Sequence, residues 1–249
     1  MKKILSLVRR CVEDYGMIEP GDKIAVGVSG GKDSLTLLCA MARLQKFYPV
    51  PFEVVGISLD MGYNADFSKI SALCAAQGVE YHVIPTNIKQ VVFDIRKEKN
   101  PCSLCANLRR GWLNNAAKEL GCNKIALGHH LDDAIETFFM SLFYEGRIHC
   151  FAPITWLDRS EMTKIRPMLY VYEREIIALA KRIDLPVLAS SCPIDRSTAR
   201  AEIKQLIAGL STDRKNIKKQ VFSAIQKSHI SGWEAKPTGR RRKAGVETE

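Results

Sequence analysis

Residues 23–34 read KIAVGVSGGKDS, from Lys23 to Ser34, and this stretch decides the fold. Lys23 to Val28 is a short β-branched run, the signature of a strand. Ser29-Gly30-Gly31-Lys32-Asp33-Ser34 follows, and then Leu35, Leu38, Met41 and Leu44 recur at helical spacing. The unit is strand, glycine loop, helix. The same alternation continues outward. Residues 52–59 (FEVVGISL) are a second strand, and 68–77 a helix closed by Gly78. Residues 80–85 are a third strand, and 103–120 a helix ended by Gly121. Residues 124–127 (KIAL) are a fourth strand before a helix carrying Ile135, Phe138, Phe139 and Leu142. Residues 173–183 are helical and 185–189 a fifth strand. This pattern predicts an α/β fold: a parallel five-stranded sheet with helices on both faces. The strands are near-continuous apolar runs, as a sheet covered on both sides requires. Ligands of such sheets bind at the carboxyl ends of the strands.

The rest of the 249 residues frames this core. Apolar residues are 46% and charged residues 26%, which excludes disorder and collagen-like structure for most of the chain. No stretch approaches the roughly 18 apolar residues of a membrane span. The opening MKKILSLVRRCV is cut by Arg9 and Arg10, too early for an export signal. It reads as an amphipathic helix of a cytoplasmic protein with no membrane partner. Residues 1–21 are expected to be an N-terminal helix, 22–198 the sheet domain, 199–230 basic helices and 231–249 a flexible tail. Net charge is +10. Between Ala199 and Lys243, twelve basic residues face Glu202, Asp213 and Glu234. Such one-sidedness is the footprint of a polyanion binder; the alternative is a solvated basic tail.

Two glycines let successive N–H groups of the loop converge, and the helix N-terminus adds donors and partial positive charge. Lys32 and the hydroxyls of Ser29 and Ser34 complete a phosphate cradle. A Walker A loop would need Gly at 26 and Ser or Thr at 33, where the chain has Val26 and Asp33. The bland alternative is an ordinary turn.

Eight cysteines in a chain without an export signal argue for metal or redox use of some of them. Cys39 and Cys74 sit among apolar helix residues and read as core. Cys102-Ser103-Leu104-Cys105 is a C-x-x-C at a helix start, where the helix dipole favours thiolate. No second pair recurs, so a four-ligand zinc site is not closed. Cys192, in SSCP, follows the fifth predicted strand and belongs to the same sheet edge. Three cysteines on one iron–sulfur cluster would leave an iron open to substrate or sulfur. A redox dithiol and inert thiols are the other readings.

SGGKDS resembles the PP-loop of ATP pyrophosphatases, which cleave ATP between the α and β phosphates. Together with CSLCANLRRG, ALGHHLDD and the late Cys192, it is similar to the tRNA 2-thiocytidine synthetase family, over about residues 22–209. The resemblance implies an ATP-dependent tRNA sulfurtransferase that adenylates C2–O of a cytidine, at position 32, and replaces that oxygen with sulfur. AMP and pyrophosphate would leave. It implies a [4Fe–4S] cluster on Cys102, Cys105 and Cys192, with ATP and Mg²⁺ as further cofactors. The ATP site would comprise Ser29, Gly30, Gly31, Lys32, Asp33 and Ser34, with Leu59 and Gly128 bordering the adenosine. Lys32, Arg109 and Asp133 would be catalytic. The partners would be tRNA, ATP and a sulfur donor such as a cysteine desulfurase or free sulfide; a homodimer is compatible with it.

Chemistry sorts the candidates. Charge builds on the α-phosphate during adenylation, so a cation there helps. Arg109 lies one helical turn past Cys105, whereas Arg110 points to RNA or solvent. Asp133 matches a family catalytic aspartate, while Asp132 could instead cap the next helix. Asp60 has the same ambiguity, and His129 and His130 read as structural or adenosine-lining. Many 2-thiocytidine enzymes carry a second late C-x-x-C, absent here. The alternatives are a 2-thiouridine-forming thiolase, a lysidine-synthetase-like enzyme and a non-catalytic iron–sulfur RNA-binding module.

Overall fold

The structure, a computed structural model, describes residues 1–97, 101–189, 199–214 and 216–234. Cys192 and residues 236–249 lie outside them. Helix α1 (Lys2–Tyr15) is amphipathic: Ile4, Val8, Cys11, Val12 and Tyr15 are buried at helical spacing. It ends at Gly16, φ 61°, where the N–H groups of Gly16 and Met17 return to Glu13 and Val12 carbonyls.

Strand β1 (Asp22–Gly27) lies between β2 (Phe52–Asp60) and β4 (Lys124–Ala126), parallel to both. Beyond β2 is β3 (Glu80–Pro85), and beyond β4 are β6 (Met162–Ile165) and the antiparallel edge strand β5 (Ile154–Leu157). The order is β3-β2-β1-β4-β6-β5. Strand residues alternate between faces. Ile24 and Val26 join the larger core, while Ala25 packs with Val55, Ile125 and Met162 in the smaller one. Helices α2 (Lys32–Gln45), α3 (Ser68–Gln77), α5 (Leu131–Tyr144) and α6 (Glu173–Arg182) contribute to the larger core with α1. Helix α4 (Pro101–Glu119), preceded by a π-helical stretch (Gln90–Arg96), covers the other face through Ala116 and Ala117. Helices α7 (Ala199–Asp213) and α8 (Ile217–Lys227) pack on α5. Among the described residues no helix is long and apolar enough to cross a membrane.

The α/β reading holds, with two corrections. The sheet has six strands, mostly parallel, and residues 185–189 are not one of them. Pro186 lacks a ladder donor, and Leu188 instead donates its N–H to the Gly30 carbonyl at 3.0 Å. That segment crosses the glycine loop. The added strands are the β5–β6 hairpin, ITWL and MTKI around a short turn with Glu161 at φ 52°. Trp233, placed by sequence in a flexible tail, is fully buried, edge-on to Tyr15 and Phe222. A large aromatic surface outweighs the polar residues around it.

Connections run from β1 to β2 on one side and from β4 to β6 on the other. The crevice at the ends of β1 and β4 is therefore the topological switch point. The glycine loop and residues 128–133 flank it.

Candidate active site

Gly30 has φ 81°, and a Cβ there would fall 2.8 Å from Leu188 Cδ1. Only glycine fits this turn under the 185–189 segment. The loop is tied by its own serines. Ser34 Oγ donates to the Gly31 carbonyl at 2.9 Å and accepts from the Ser29 N–H at 3.1 Å. Ser29 Oγ lies 3.2 Å from Ser34 Oγ. Behind the loop, Ser58 donates to the Val28 carbonyl at 2.6 Å and accepts from Tyr81 at 2.7 Å. Helix α2 starts at Gly31 with no side-chain cap, so its first N–H groups face the crevice as anion donors.

Lys32 stands over this donor set, 3.0 Å from Asp33 and 3.2 Å from Glu173. Burial opposes its charge, but the two carboxylates prevail and raise its pKa. Asp33 Oδ1 is buried with no hydrogen-bond partner.

Gly128 brings the end of β4 against the loop: a Cβ there would lie 3.1 Å from backbone atoms of Asp33 and Ser34. His130 and Asp133 then form a reciprocal capping box. Asp133 accepts from the His130 N–H at 2.9 Å, and His130 Nδ1 accepts from the Asp133 N–H at 3.3 Å. Asp132 has a different task. It accepts from the Glu173 N–H at 2.7 Å, capping α6, and pairs with Lys218 of α8 at 2.5 Å. Asp60 turns back on its own loop and accepts from the Gly62 N–H at 2.9 Å. Leu59 is half-buried at the end of β2. His129 stacks on Phe151 at 5.0 Å. Burial, reinforced by Arg166, pushes its pKa down to about 4, so it is neutral at pH 7.

The structure thus gathers the glycine loop, Gly128 and Asp133. It also adds groups that sequence reasoning passed over. Glu136 is buried one turn from Asp133. Burial and the Asp133 charge push its carboxyl up to about 7. Arg200 lies 3.5 Å from Asp133 and 3.8 Å from Glu136, and Lys204 pairs with Glu173 at 2.7 Å. The spacing of Asp133 and Glu136 was a signal that they share a helix face. Nothing in the sequence announces contacts between side chains 31 or more residues apart. These pairs also revise the basic region: Arg200, Lys204 and Lys218 are paired with carboxylates, whereas Arg214, Lys219 and Lys227 are exposed and make no ion pair with a described residue.

Arg109 is exposed and makes no hydrogen bond or ion pair with a described residue, so the structure does not bring it to Lys32 or Asp133. Cys102 is exposed and Cys105 half-buried in the first turns of α4. Cys11, Cys39, Cys74, Cys122 and Cys150 are buried, and burial pushes their thiols up. By accessibility and donor type, Cys102 and Cys105 fit a cluster; the third predicted ligand, Cys192, lies outside the described residues. Among those residues no group of three His, Cys, Asp or Glu side chains could hold a metal ion. Magnesium commonly uses one or two carboxylates plus substrate phosphates, and Asp33 Oδ1, which makes no hydrogen bond and lies 3.8 Å from His130 Nε2, fits that pattern.

A glycine loop at a switch point, read with this sheet order, defines the PP-loop class, and the family described as "PP-loop domain" matches residues 2–209. The tRNA-cytidine(32) 2-sulfurtransferase of Geobacter sulfurreducens is 40% identical over 90% of this chain and 89% of its own. The protein of the same name from Citrifermentans bemidjiense is 36% identical over 91% of each. Among solved structures, the U34-tRNA thiolase NcsA from Methanococcus maripaludis, with its [4Fe-4S] cluster, superposes with a TM-score of 0.74. It is 25% identical, covering 93% of this chain and 80% of that one. The NH3-dependent NAD synthetase of Campylobacter jejuni, 17% identical with a TM-score of 0.50 over 90% of this chain and 91% of that one, shares the fold alone. The chain belongs to the PP-loop family of tRNA-cytidine(32) 2-sulfurtransferases.

Proposed function

We propose that the chain is an ATP-dependent tRNA sulfurtransferase, acting in the cytoplasm, that converts cytidine 32 to 2-thiocytidine. Family membership at 40% identity over nearly the whole chain carries this reading. The cytidine C2 oxygen attacks the α-phosphorus of ATP, the bond to the β-phosphate breaks, and pyrophosphate leaves into the glycine loop. Sulfur then bonds to C2 as the C2–O bond breaks, and AMP departs with the oxygen. The sulfur arrives at the sulfide level, as free sulfide or from a cysteine desulfurase persulfide whose S–S bond is cleaved by a two-electron thiol reductant.

Lys32 and the first N–H groups of α2 hold the pyrophosphate. Leu59 and Gly128 border the adenosine. Asp33 and Asp133 would hold Mg²⁺, which would offset charge on the phosphates, while Glu173 and Glu136 remain carboxylate partners of Lys32 and Arg200. Arg109 is directed to the α-phosphate once ATP is bound. Cys102, Cys105 and Cys192 hold a [4Fe–4S] cluster, which supplies the sulfur-delivery chemistry. Leu188 is hydrogen-bonded to Gly30, and Cys192 follows four residues later. Four extended residues reach at most about 14 Å, which supports a ligand beside the loop.

Anaerobic reconstitution with iron and sulfide, followed by visible absorption and iron analysis, tests the cluster. Cys102→Ala, Cys105→Ala and Cys192→Ala should each lose it, whereas Cys39→Ala and Cys74→Ala should keep it. Nucleoside mass spectrometry of treated tRNA should show 2-thiocytidine at position 32, with AMP and pyrophosphate released. ADP and phosphate as the main products, or sulfur in a uridine, would overturn the assignment.

A further inference from the structure

On the α4 face of the sheet, two cations are buried with no acidic partner among the described residues. Lys164 of β6 is 7% exposed and makes no hydrogen bond or ion pair among the described residues. Arg166, two residues on, is also 7% exposed. Its guanidinium is held by the Ala152 carbonyl and by Thr155 Oγ1, the latter at 3.1 Å, and lies 4.8 Å over the Phe151 ring. Its Nε is buried and has no acceptor. Thr155 is the cross-strand partner of Lys164, so Thr155 and Lys164 share one face of the hairpin. The same Phe151 ring packs on His129, whose buried Nδ1 is likewise unpartnered.

Helix α4 runs beside this hairpin. Lys118 pairs with Glu161 at 3.1 Å and Asn114 reaches Ser160 at 3.5 Å. One turn nearer the helix start, Arg110 is exposed beside Lys164. Burial, with Arg166 and Arg110 adding like charge, pushes Lys164 down to about 8; burial takes Arg166 down to about 10. Desolvated cations with no counterion are costly: such a group shifts toward its neutral form or takes up an opposite charge, which a bound anion would supply here. The cations sit at the end of β6, next to the end of β4, on the crevice edge. They are two strand spacings, roughly 10 Å, from the β1 loop that cradles the nucleotide phosphates. The anion they await is therefore a different one, on the side of the crevice away from β2 and Leu59.

We propose that Lys164, Arg166 and Arg110 hold a backbone phosphodiester of the RNA strand beside the base being modified. This rests on the reading of tRNA as substrate. The phosphate accepts from the Lys164 ammonium, the Arg166 guanidinium behind it adds positive charge, and Arg110 closes over it from α4. Such a contact fixes the strand's register without reading its bases.

The test uses the full chain with its cluster. Lys164→Met keeps the aliphatic stem and removes the charge; Lys164→Arg restores it. Affinity for tRNA is measured by fluorescence anisotropy from 50 to 200 mM salt, with ATP affinity and melting temperature alongside. Removing one phosphate contact should weaken tRNA binding about tenfold and flatten the log–log salt slope by ~0.7–0.9. Lys164→Arg should recover the slope, ATP affinity should stay unchanged, and Lys164→Met should melt no lower than wild type. Wild-type affinity and slope in a folded Lys164→Met would overturn the site and leave the proposed function standing. Weakened ATP binding with unchanged tRNA binding would give the cations to the nucleotide and also overturn it. A wild-type chain that binds no tRNA would remove the proposed function, and this site with it.

Discussion

Asp132 and Asp133 are neighbours with opposite duties, and substitution should separate them. Asp132 is 4% exposed, caps α6 through the Glu173 N–H and pairs with Lys218. Asp132→Ala leaves that N–H and the Lys218 ammonium without their acceptor. Breaking a buried pair by removing one partner costs about 3–5 kcal/mol. The Lys218 side chain is 36% exposed and can turn to water, so the lower end, about 3 kcal/mol, is expected. Against a total stability of roughly 5–15 kcal/mol this is a large fraction. Urea unfolding should show a lower midpoint at unchanged slope. The double variant Asp132→Leu with Lys218→Met should regain much of the loss, because the buried pair is replaced by apolar groups. Asp133→Asn should cost only about 1 kcal/mol, through the capping box, yet stop pyrophosphate release. If Asp132→Ala unfolded like wild type while losing activity, Asp132 would be the catalytic carboxylate and the structural role assigned to it would be wrong.

Glu136 should make stability depend on pH. Its folded pKa, about 7, stands above the ordinary 4.5, so the stability it contributes is full below pH 4.5 and lost as pH rises through 7. Glu136→Gln should therefore gain up to about 3 kcal/mol at pH 8, less the Arg200 contact, and nothing at pH 4, which thermal melts at both values would check. Gly30→Ala combines a left-handed φ with the Leu188 clash and should lose about 1–2 kcal/mol with weakened ATP binding. Adding Leu188→Ala should restore part of the melting temperature, and no recovery at all would count against the clash. Removing residues 236–249 should spare ATP binding but flatten the salt slope of tRNA binding, since Arg240, Arg241, Arg242 and Lys243 go with them. Trp233→Ala should instead cost about 3–5 kcal/mol in a calorimetric melt, because that ring is core.

Local chemistry made much of this protein legible from its residues in order. Apolar runs, helical spacing and the glycines at 78 and 121 place most elements within a residue or two, because backbone geometry and face burial are set by near neighbours. The SGGKDS loop could be read as a pyrophosphate cradle for the same reason: its donors come from consecutive residues. The β5–β6 hairpin was missed although ITWL and MTKI carry a strand pattern, since four-residue strands give a weak signal. Residues 185–189 have the composition of a strand and fail to be one, because Pro186 has no donor and Leu188 spends its N–H on Gly30.

Charge pairing was the part that only the tertiary structure decided. By chemistry alone Asp132 and Asp133 are equivalent carboxylates; the fold gives Asp132 to the α6 N-terminus and Lys218, and Asp133 to the His130 capping box beside Arg200. The basic stretch after residue 199 reads as one polyanion-binding block, yet Arg200, Lys204 and Lys218 pair with carboxylates of α5 and α6. Lys164 reads as an ordinary strand lysine until the hairpin, α4 and Arg166 close around it with no counterion among the described residues. Periodicity and turn chemistry act over a few residues and survive in the linear order. Desolvation and Coulomb energy depend on distances between segments far apart in the chain, so they exist only once it has folded.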